Sequence, residues 1–233
     1  PNEGSEPLVG WRWAMEMAHS HDVTVLTRSN NRSAIEGAIN SLADGVAHPQ
    51  FVYFDLGPRL RRIKKIRGLN QWYYLLWQRR ARAVVAELVG RGSFDLLHHV
   101  TYASYRYPTA VDGHGVPVVW GPVGGGEYIP WRFLTFGSAR SFLRESTRNV
   151  INALQQVPFI RMMPKSVRSE LVLASTRETQ QKFSHYGVTA PVFPTIGIDR
   201  ATTAAEPRER QAVGGPLKIV YVGNLLLFKG IHL

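Results

Sequence analysis

Apolar positions along this chain change rhythm several times, between helical spacing and short β-branched runs. Leu8, Trp11, Met15 and Ala18 recur at helical spacing. Ser5 as a cap and Pro7 in the first turn set a helix running to about His19. The β-branched run at 22–28 then predicts a strand, and a helix-and-loop segment follows to about Ala47. Further strands are expected at 51–56, 94–99, 116–120, 171–176 and 192–196. Helices are expected at 70–89, briefly after Ser104, at 138–157 and at 178–186. Strands alternating with helices predict an α/β domain built on a doubly wound parallel sheet.

On the 70–89 helix, Tyr73, Trp77, Ala81, Val84 and Leu88 share one face and read as core. Trp72, Leu75, Arg79 and Arg82 fall opposite. That aromatic and basic face suits either a membrane interface or a solvated surface.

Between 197 and 216 the composition turns to Ala, Thr, Glu, Arg and Gly without apolar periodicity, which reads as a linker. A fresh apolar run then opens at Lys218. The chain thus divides into a domain at 1–196, a linker at 197–216 and the start of a second domain at 217–233. The loop ahead of the first helix ordinarily follows a strand, so the sheet's first strand is expected to lie ahead of Pro1.

Composition adds sign and compartment. The 233 residues carry 28 Lys and Arg against 17 Asp and Glu, a net charge of +11. Such a balance points to an anionic partner. Nine basic residues and no acidic one lie between Arg59 and Arg82, and a second basic cluster runs from Arg132 to Arg168. No recognised DNA- or RNA-docking motif accompanies them, so no nucleic-acid partner is expected. There is no cysteine, hence neither disulfide framework nor thiolate chemistry, which fits a reducing compartment. No apolar run reaches the length of a membrane span.

Chemistry concentrates in two stretches. Trp120-Gly121-Pro122-Val123-Gly124-Gly125-Gly126-Glu127 follows a buried strand, at the place where open α/β sheets put their ligands. Its glycines either allow close backbone approach or form a flexible connection. Glu127 either bonds acceptor hydroxyls or caps the helix that follows. The second stretch, His98-His99-Val100-Thr101, ends a strand. Successive strand residues point to opposite faces, so only one histidine easily faces a cleft. Adjacent histidines without cysteine make a zinc site a poor fit, and no metal is expected.

Five segments in order resemble family 4 glycosyltransferases. Glu3-Gly4-Ser5-Glu6-Pro7 with Gly10-Trp11 is similar to that family's glycine-bearing opening loop and first helix. His98-His99-Val100-Thr101 resembles its histidine-bearing strand end, and the 120–127 stretch resembles the loop of a bacterial subgroup. Pro194-Thr195-Ile196-Gly197-Ile198-Asp199 resembles the close of its first domain. Tyr221-Val222-Gly223-Asn224, with Lys229-Gly230 after it, resembles the opening of its donor domain.

The resemblance implies a GT-B fold, of which this chain is the Rossmann-like N-terminal domain, truncated at both ends. It implies transfer of a sugar from a nucleotide-sugar co-substrate to a glycan or lipid-linked acceptor, with retention, without a metal and with no other cofactor. Absence of any Asp-x-Asp agrees with that. His99, then His98, is implied as the catalytic histidine. Lys229, Asn224 and Gly4 are implied at the donor phosphates. Ser5, Thr101, Gly124, Gly125, Gly126 and Glu127 are implied to line the sugar cleft. Asn224 departs from the family's usual arginine and brings no charge to the phosphates. The family's Glu-x7-Glu motif lies beyond Leu233, so these residues alone are expected to be inactive. The implied setting is bacterial cell-envelope glycan synthesis, on the cytoplasmic side; from the basic clusters and the outer face of the 70–89 helix, Trp72, Arg79 and Arg82 are expected to touch anionic lipid. The alternatives are a sugar-nucleotide epimerase of the same fold and a basic nucleic-acid-binding module.

Overall fold

A computed structural model of the chain describes residues 6–63, 70–128, 138–166, 171–196 and 220. It is α/β, and among the described residues every strand pairing is parallel. Strand β1 (Thr24–Thr27) pairs with β2 (Gln50–Tyr53), placing Leu26 opposite Val52. Strands β3 (Leu97–His99), β4 (Val118–Val123) and β5 (Leu171–Ala174) form a second sheet in that order. A parallel bridge from Ala174 to Val192 continues it past β5. The helices are α1 (Glu6–Ala18), α2 (Arg32–Asn40), α3 (Pro58–Ile63), α4 (Asn70–Arg91), α5 (Ala139–Ser166) and α6 (Arg177–His185).

Both sheets run the same way. The start of α4 touches the carboxyl end of β1, through Arg28 to Tyr73 at 3.2 Å, and the loop after β3, through Tyr74 to the Tyr102 carbonyl at 2.7 Å. Two helices cover opposite faces of both sheets. On one face α1 stacks Trp11 on Phe51 of β2 and sets Trp13 edge-on to His98 of β3. On the other face α4 packs Ala81 and Val85 with Leu26 of β1 and Leu97 of β3. The inward face expected for α4 is the face that packs, joined by Gln78 and Val85.

A second core surrounds β4 and β5. Trp120, Val123, Val172 and Ala174 bury against Phe183 of α6, with Trp120 and Tyr105 meeting its ring edge-on. Burying a phenylalanine completely, as here, is worth about 3 kcal/mol, which fixes α6 to the sheet.

The chain separates into two compact units, residues 1–127 with 156–195 and residues 128–155 with 196–233. The second contains most of α5, where Arg144 and Arg148 both pair with Glu145.

The structure corrects several expected elements. No helix follows Ser104; residues 105–116 are turns, because Gly113 and Gly115 both take left-handed φ values of 73° and 75° that interrupt a helix. Strand β4 continues through Gly121 and Pro122 to Val123, so the glycine loop proper begins at Gly124. The 192–196 strand reduces to one bridge, since Pro191 and Pro194 have no N–H to donate to a ladder. Helix α5 passes Pro158 and Pro164 to reach Ser166 instead of stopping near Val157. Helix α3 was not expected. The 197–216 linker and the run opening at Lys218 lie outside the described residues, Val220 excepted. Among the described residues no helix is long and apolar enough to cross a membrane.

Candidate functional site

Parallel strands deliver their carboxyl ends to one edge of the sheets, and the chemistry-bearing residues gather there. Arg28 follows β1, Asp55 lies two residues past β2, Thr101 and Tyr102 follow β3, Gly124 to Glu127 follow β4, and Thr176 follows β5.

The glycine loop is welded to its surroundings. The Gly124 amide donates to the Ala103 carbonyl at 2.9 Å. The Gly125 amide donates to Glu127 Oε2 at 2.9 Å, and the Gly126 amide to Thr179 Oγ1 at 3.1 Å. All three amides are therefore committed within the protein. Glycine is needed for packing. A Cβ on Gly126 would stand 2.6 Å from the Thr179 Cα, and one on Gly125, at φ 93°, 2.6 Å from Ser104 Oγ. The Gly125 carbonyl accepts from Arg106 Nη2.

Glu127 is held by partners on both sides of the loop. Its Oε1 accepts from Thr176 Oγ1 at 2.7 Å and from Thr179 Oγ1 at 3.1 Å. Thr176 is in turn the N-cap of α6, accepting from the Thr179 amide. Glu127 thus clamps the loop to the first turn of a helix some 50 residues downstream, where a carboxylate also complements the helix dipole. Burial pushes its carboxyl up, but the hydrogen bonds from Thr176, Thr179 and the loop amides outweigh that and hold it below the ordinary value.

The histidines diverge as strand geometry requires. His99 points to the α4 face, where Nδ1 meets Thr109 Oγ1 at 2.8 Å and Nε2 donates to the Thr101 carbonyl at 2.9 Å. Burial depresses it to about 4, so it is neutral near pH 7. Both ring nitrogens are occupied. His98 lies on the α1 face, pinned by Trp13 and donating from Nε2 to the Gly121 carbonyl at 2.8 Å. Burial lowers its pKa too. With Nε2 donating, Nδ1 carries a lone pair, and His98 rather than His99 has the nitrogen suited to accept a proton.

Thr101 packs its methyl against α1 at Gly10, where a Cβ would come within 2.8 Å. The next residue, Tyr102, holds φ 56° and is 58% exposed. Its amide donates to Glu6 Oε1 at 3.0 Å, its carbonyl accepts from Tyr74, and its ring lies 5.2 Å from the Tyr74 ring. Burial raises the Glu6 carboxyl above its ordinary value, partly offset by that amide.

A second cluster joins Arg28, Asp55 and Tyr73. Arg28 Nη2 bonds Asp55 Oδ2 at 3.1 Å and sits over the Tyr73 ring, whose hydroxyl donates to Asp55 Oδ1. Burial lifts the Asp55 carboxyl, and Tyr73 and Arg28 more than reverse it. Sequence reading missed this trio and also Glu6 and Tyr102. The available signal was a charged residue at the carboxyl end of each of two neighbouring strands.

Gly4, Ser5, Asn224 and Lys229 lie outside the described residues. On α4, Trp72 is 68% exposed and shares a shallow groove of about 330 Å³ with Leu60, Leu75, Leu76 and Arg79. Arg82 instead lays its guanidinium against Gly113. Among the described residues, no three His, Asp or Glu side chains converge as a metal site would require. Comparison with protein-family models, curated proteins and solved structures finds no match to this chain.

Proposed function

We propose that the chain is the acceptor-binding, Rossmann-like part of a retaining glycosyltransferase of the family 4 type, with a GT-B partner domain opening at residues 217–233. The observation that carries this reading is the collection of polar and aromatic groups at the carboxyl ends of five parallel strands. Tyr102 offers an exposed aromatic face of the kind that sugar rings stack on, beside the Glu6 carboxylate. His98, neutral near pH 7 with Nδ1 accepting, is suited to hold or take the proton of an acceptor hydroxyl. The leaving diphosphate calls for cations and backbone amides on the donor side, a role this reading assigns to Lys229, Asn224 and the Gly4 loop. Trp72 and Arg79 would rest on anionic lipid, bringing the site to a lipid-linked acceptor on the inner face of the plasma membrane.

Saturation-transfer NMR on the 233-residue chain tests this. Oligosaccharides should receive saturation from the protein, and Tyr102→Ala should remove it. Salt-sensitive binding of single- or double-stranded DNA, with no glycan signal, would instead favour the nucleic-acid module.

A further inference from the structure

Two chains of hydrogen bonds run from one turn of the backbone to another. The first begins at the Ala110 amide, which donates to Gln78 Oε1 at 2.9 Å. Gln78 Nε2 donates to the Tyr74 hydroxyl at 2.7 Å, and that hydroxyl donates to the Tyr102 carbonyl at 2.7 Å. The second begins one residue later, at the Val111 amide, which donates to Thr109 Oγ1 at 3.3 Å. Thr109 donates to His99 Nδ1 at 2.8 Å, and His99 Nε2 donates to the Thr101 carbonyl at 2.9 Å. Consecutive amides at 110 and 111 are thus joined to consecutive carbonyls at 101 and 102, and both relays run donor to acceptor in the same sense.

Every proton along these relays has one possible place. A backbone amide can only donate, so Gln78 turns its oxygen to Ala110 and its nitrogen to Tyr74. A carbonyl can only accept, so the Tyr74 hydroxyl and His99 Nε2 carry the protons that face 102 and 101. Gln78 Nε2 and His99 Nε2 both bear hydrogens, so their approach to 3.4 Å adds no further bond. Burial pushes the Tyr74 hydroxyl's pKa up and that of His99 down to about 4, which keeps the first protonated and the second neutral near pH 7. Gln78 is buried, so bonds in this setting strengthen one another.

The carbonyls at the end of the relays belong to a strained turn. Tyr102 stands at φ 56°, in a region that a side-chain-bearing residue abandons by a factor of about ten when nothing holds it. The ladder of β3 ends at His99, before this turn. Further on, the Gly124 amide donates to the Ala103 carbonyl, and the Gly124 carbonyl accepts from the Tyr105 amide. Between those two anchors the relays reach 101 and 102. We propose that the two relays hold the Thr101–Tyr102 turn in its left-handed form, and that Gln78 and His99 are positioning residues for the Tyr102 ring, acting through Tyr74 and the turn carbonyls.

Four variants of the 233-residue chain test this. Tyr74→Phe, Gln78→Met and His99→Gln break the relays at three links, and Val85→Ala, in the core beneath α4 but outside the relays, is the control. Backbone three-bond couplings and carbonyl shifts at Thr101 and Tyr102, read by NMR, report φ directly. Each relay variant should move them towards values averaged with extended conformations. Val85→Ala should leave them at the parent values even where it lowers the melting temperature. Unchanged couplings in Tyr74→Phe and Gln78→Met would overturn the proposal. So would an equal change in Val85→Ala, which would make the turn a reporter of general stability. Should Gln78→Met fail to fold, Tyr74→Phe, which removes a single hydroxyl, decides alone. A second readout rests on the transferase reading. Oligosaccharide affinity should fall about fivefold to tenfold in the relay variants, as the competent turn becomes the minor form, and should hold in Val85→Ala. Couplings that move with affinity intact would overturn the positioning role. A parent chain that binds no oligosaccharide would sink the transferase reading, and the couplings would then decide the relays by themselves, so the two fail separately.

Discussion

Glu127 and Thr176 lie 49 positions apart in the chain and 2.7 Å apart in space. The bond is one of four that the Glu127 side chain gathers from Thr176, Thr179 and the loop, and it converts a run of three glycines into a fixed corner of the sheet. Replacing Glu127 by Gln puts an amide donor where only acceptors are wanted. Glu127→Gln should therefore cost about 1–2 kcal/mol in urea unfolding, the lower part of the range for a charged bond because the side chain is part-exposed. Its folded pKa is depressed, so this stabilisation is complete above the ordinary carboxylate range and is lost as pH falls through the lower folded value. A variant of unchanged stability would show the carboxylate free for a substrate.

Gly126 and Gly37 separate two reasons for glycine. A Cβ at Gly126 meets the Thr179 backbone at 2.6 Å, while one at Gly37 in α2 meets nothing within 4 Å. Gly126→Ala should destabilise by about 1–3 kcal/mol, because backbone cannot give way as a side-chain tip can. Gly37→Ala should stabilise by about 0.5–1 kcal/mol through helix propensity. Thermal melts of the two variants check both signs.

Local pattern explains what was legible. The apolar spacing of α1 and α4 and the β-branched runs at β1 and β2 report each element's buried face directly. The roles of Glu127, Gly126 and His99 were not legible, since each depends on partners far away in sequence: Thr176, Thr179 and Thr109. The Arg28, Asp55 and Tyr73 trio draws on three elements and carries no short motif. Glycine itself is ambiguous, because the residue that admits a ligand's approach also admits a neighbour's backbone.

The two strand-end histidines predict a pH signature. Burial depresses His99 to about 4 and lowers His98 as well, whereas in the unfolded chain both titrate near about 6.5. Between these values the unfolded chain binds more protons at His99, so stability should fall as pH drops from about 6.5 to 4, by up to about 1.4 kcal/mol per pH unit, with His98 adding in the same direction. Below about 4 the His99 share of the slope should vanish. His99→Gln should flatten the dependence across that window in urea titrations. An unaltered slope would place the linked protons elsewhere.

Membrane attachment, if it uses the outer face of α4, should depend on Arg79 more than on Arg82, because Arg82 is turned onto Gly113. Each basic side chain near an anionic surface contributes about 1 kcal/mol. Arg79→Glu should weaken co-sedimentation with phosphatidylserine vesicles by at least about fivefold at low salt, and Arg82→Glu by less. Trp72→Ala should weaken it further at high salt, where apolar insertion outlasts screened charge. Equal binding by all three variants would remove α4 from the interface.

Tyr102 gives the sharpest separation of stability from function. At φ 56° its backbone occupies a conformation that costs a side-chain-bearing residue about 1–2 kcal/mol and glycine almost nothing. What the ring returns is limited: it is 58% exposed, and its contact with Tyr74 lies at the surface. The bonds from its amide and carbonyl, to Glu6 and Tyr74, would survive substitution because they are main-chain. Tyr102→Gly should thus melt at the same temperature as the parent or slightly higher. If the ring is a sugar platform, the same change should weaken oligosaccharide binding about tenfold, the loss of roughly 1.4 kcal/mol of stacking. A site retained at the expense of stability is expected where the side chain has work outside the fold. Loss of stability in Tyr102→Gly, with sugar binding intact, would make Tyr102 a structural residue and move the acceptor platform elsewhere on the carboxyl edge.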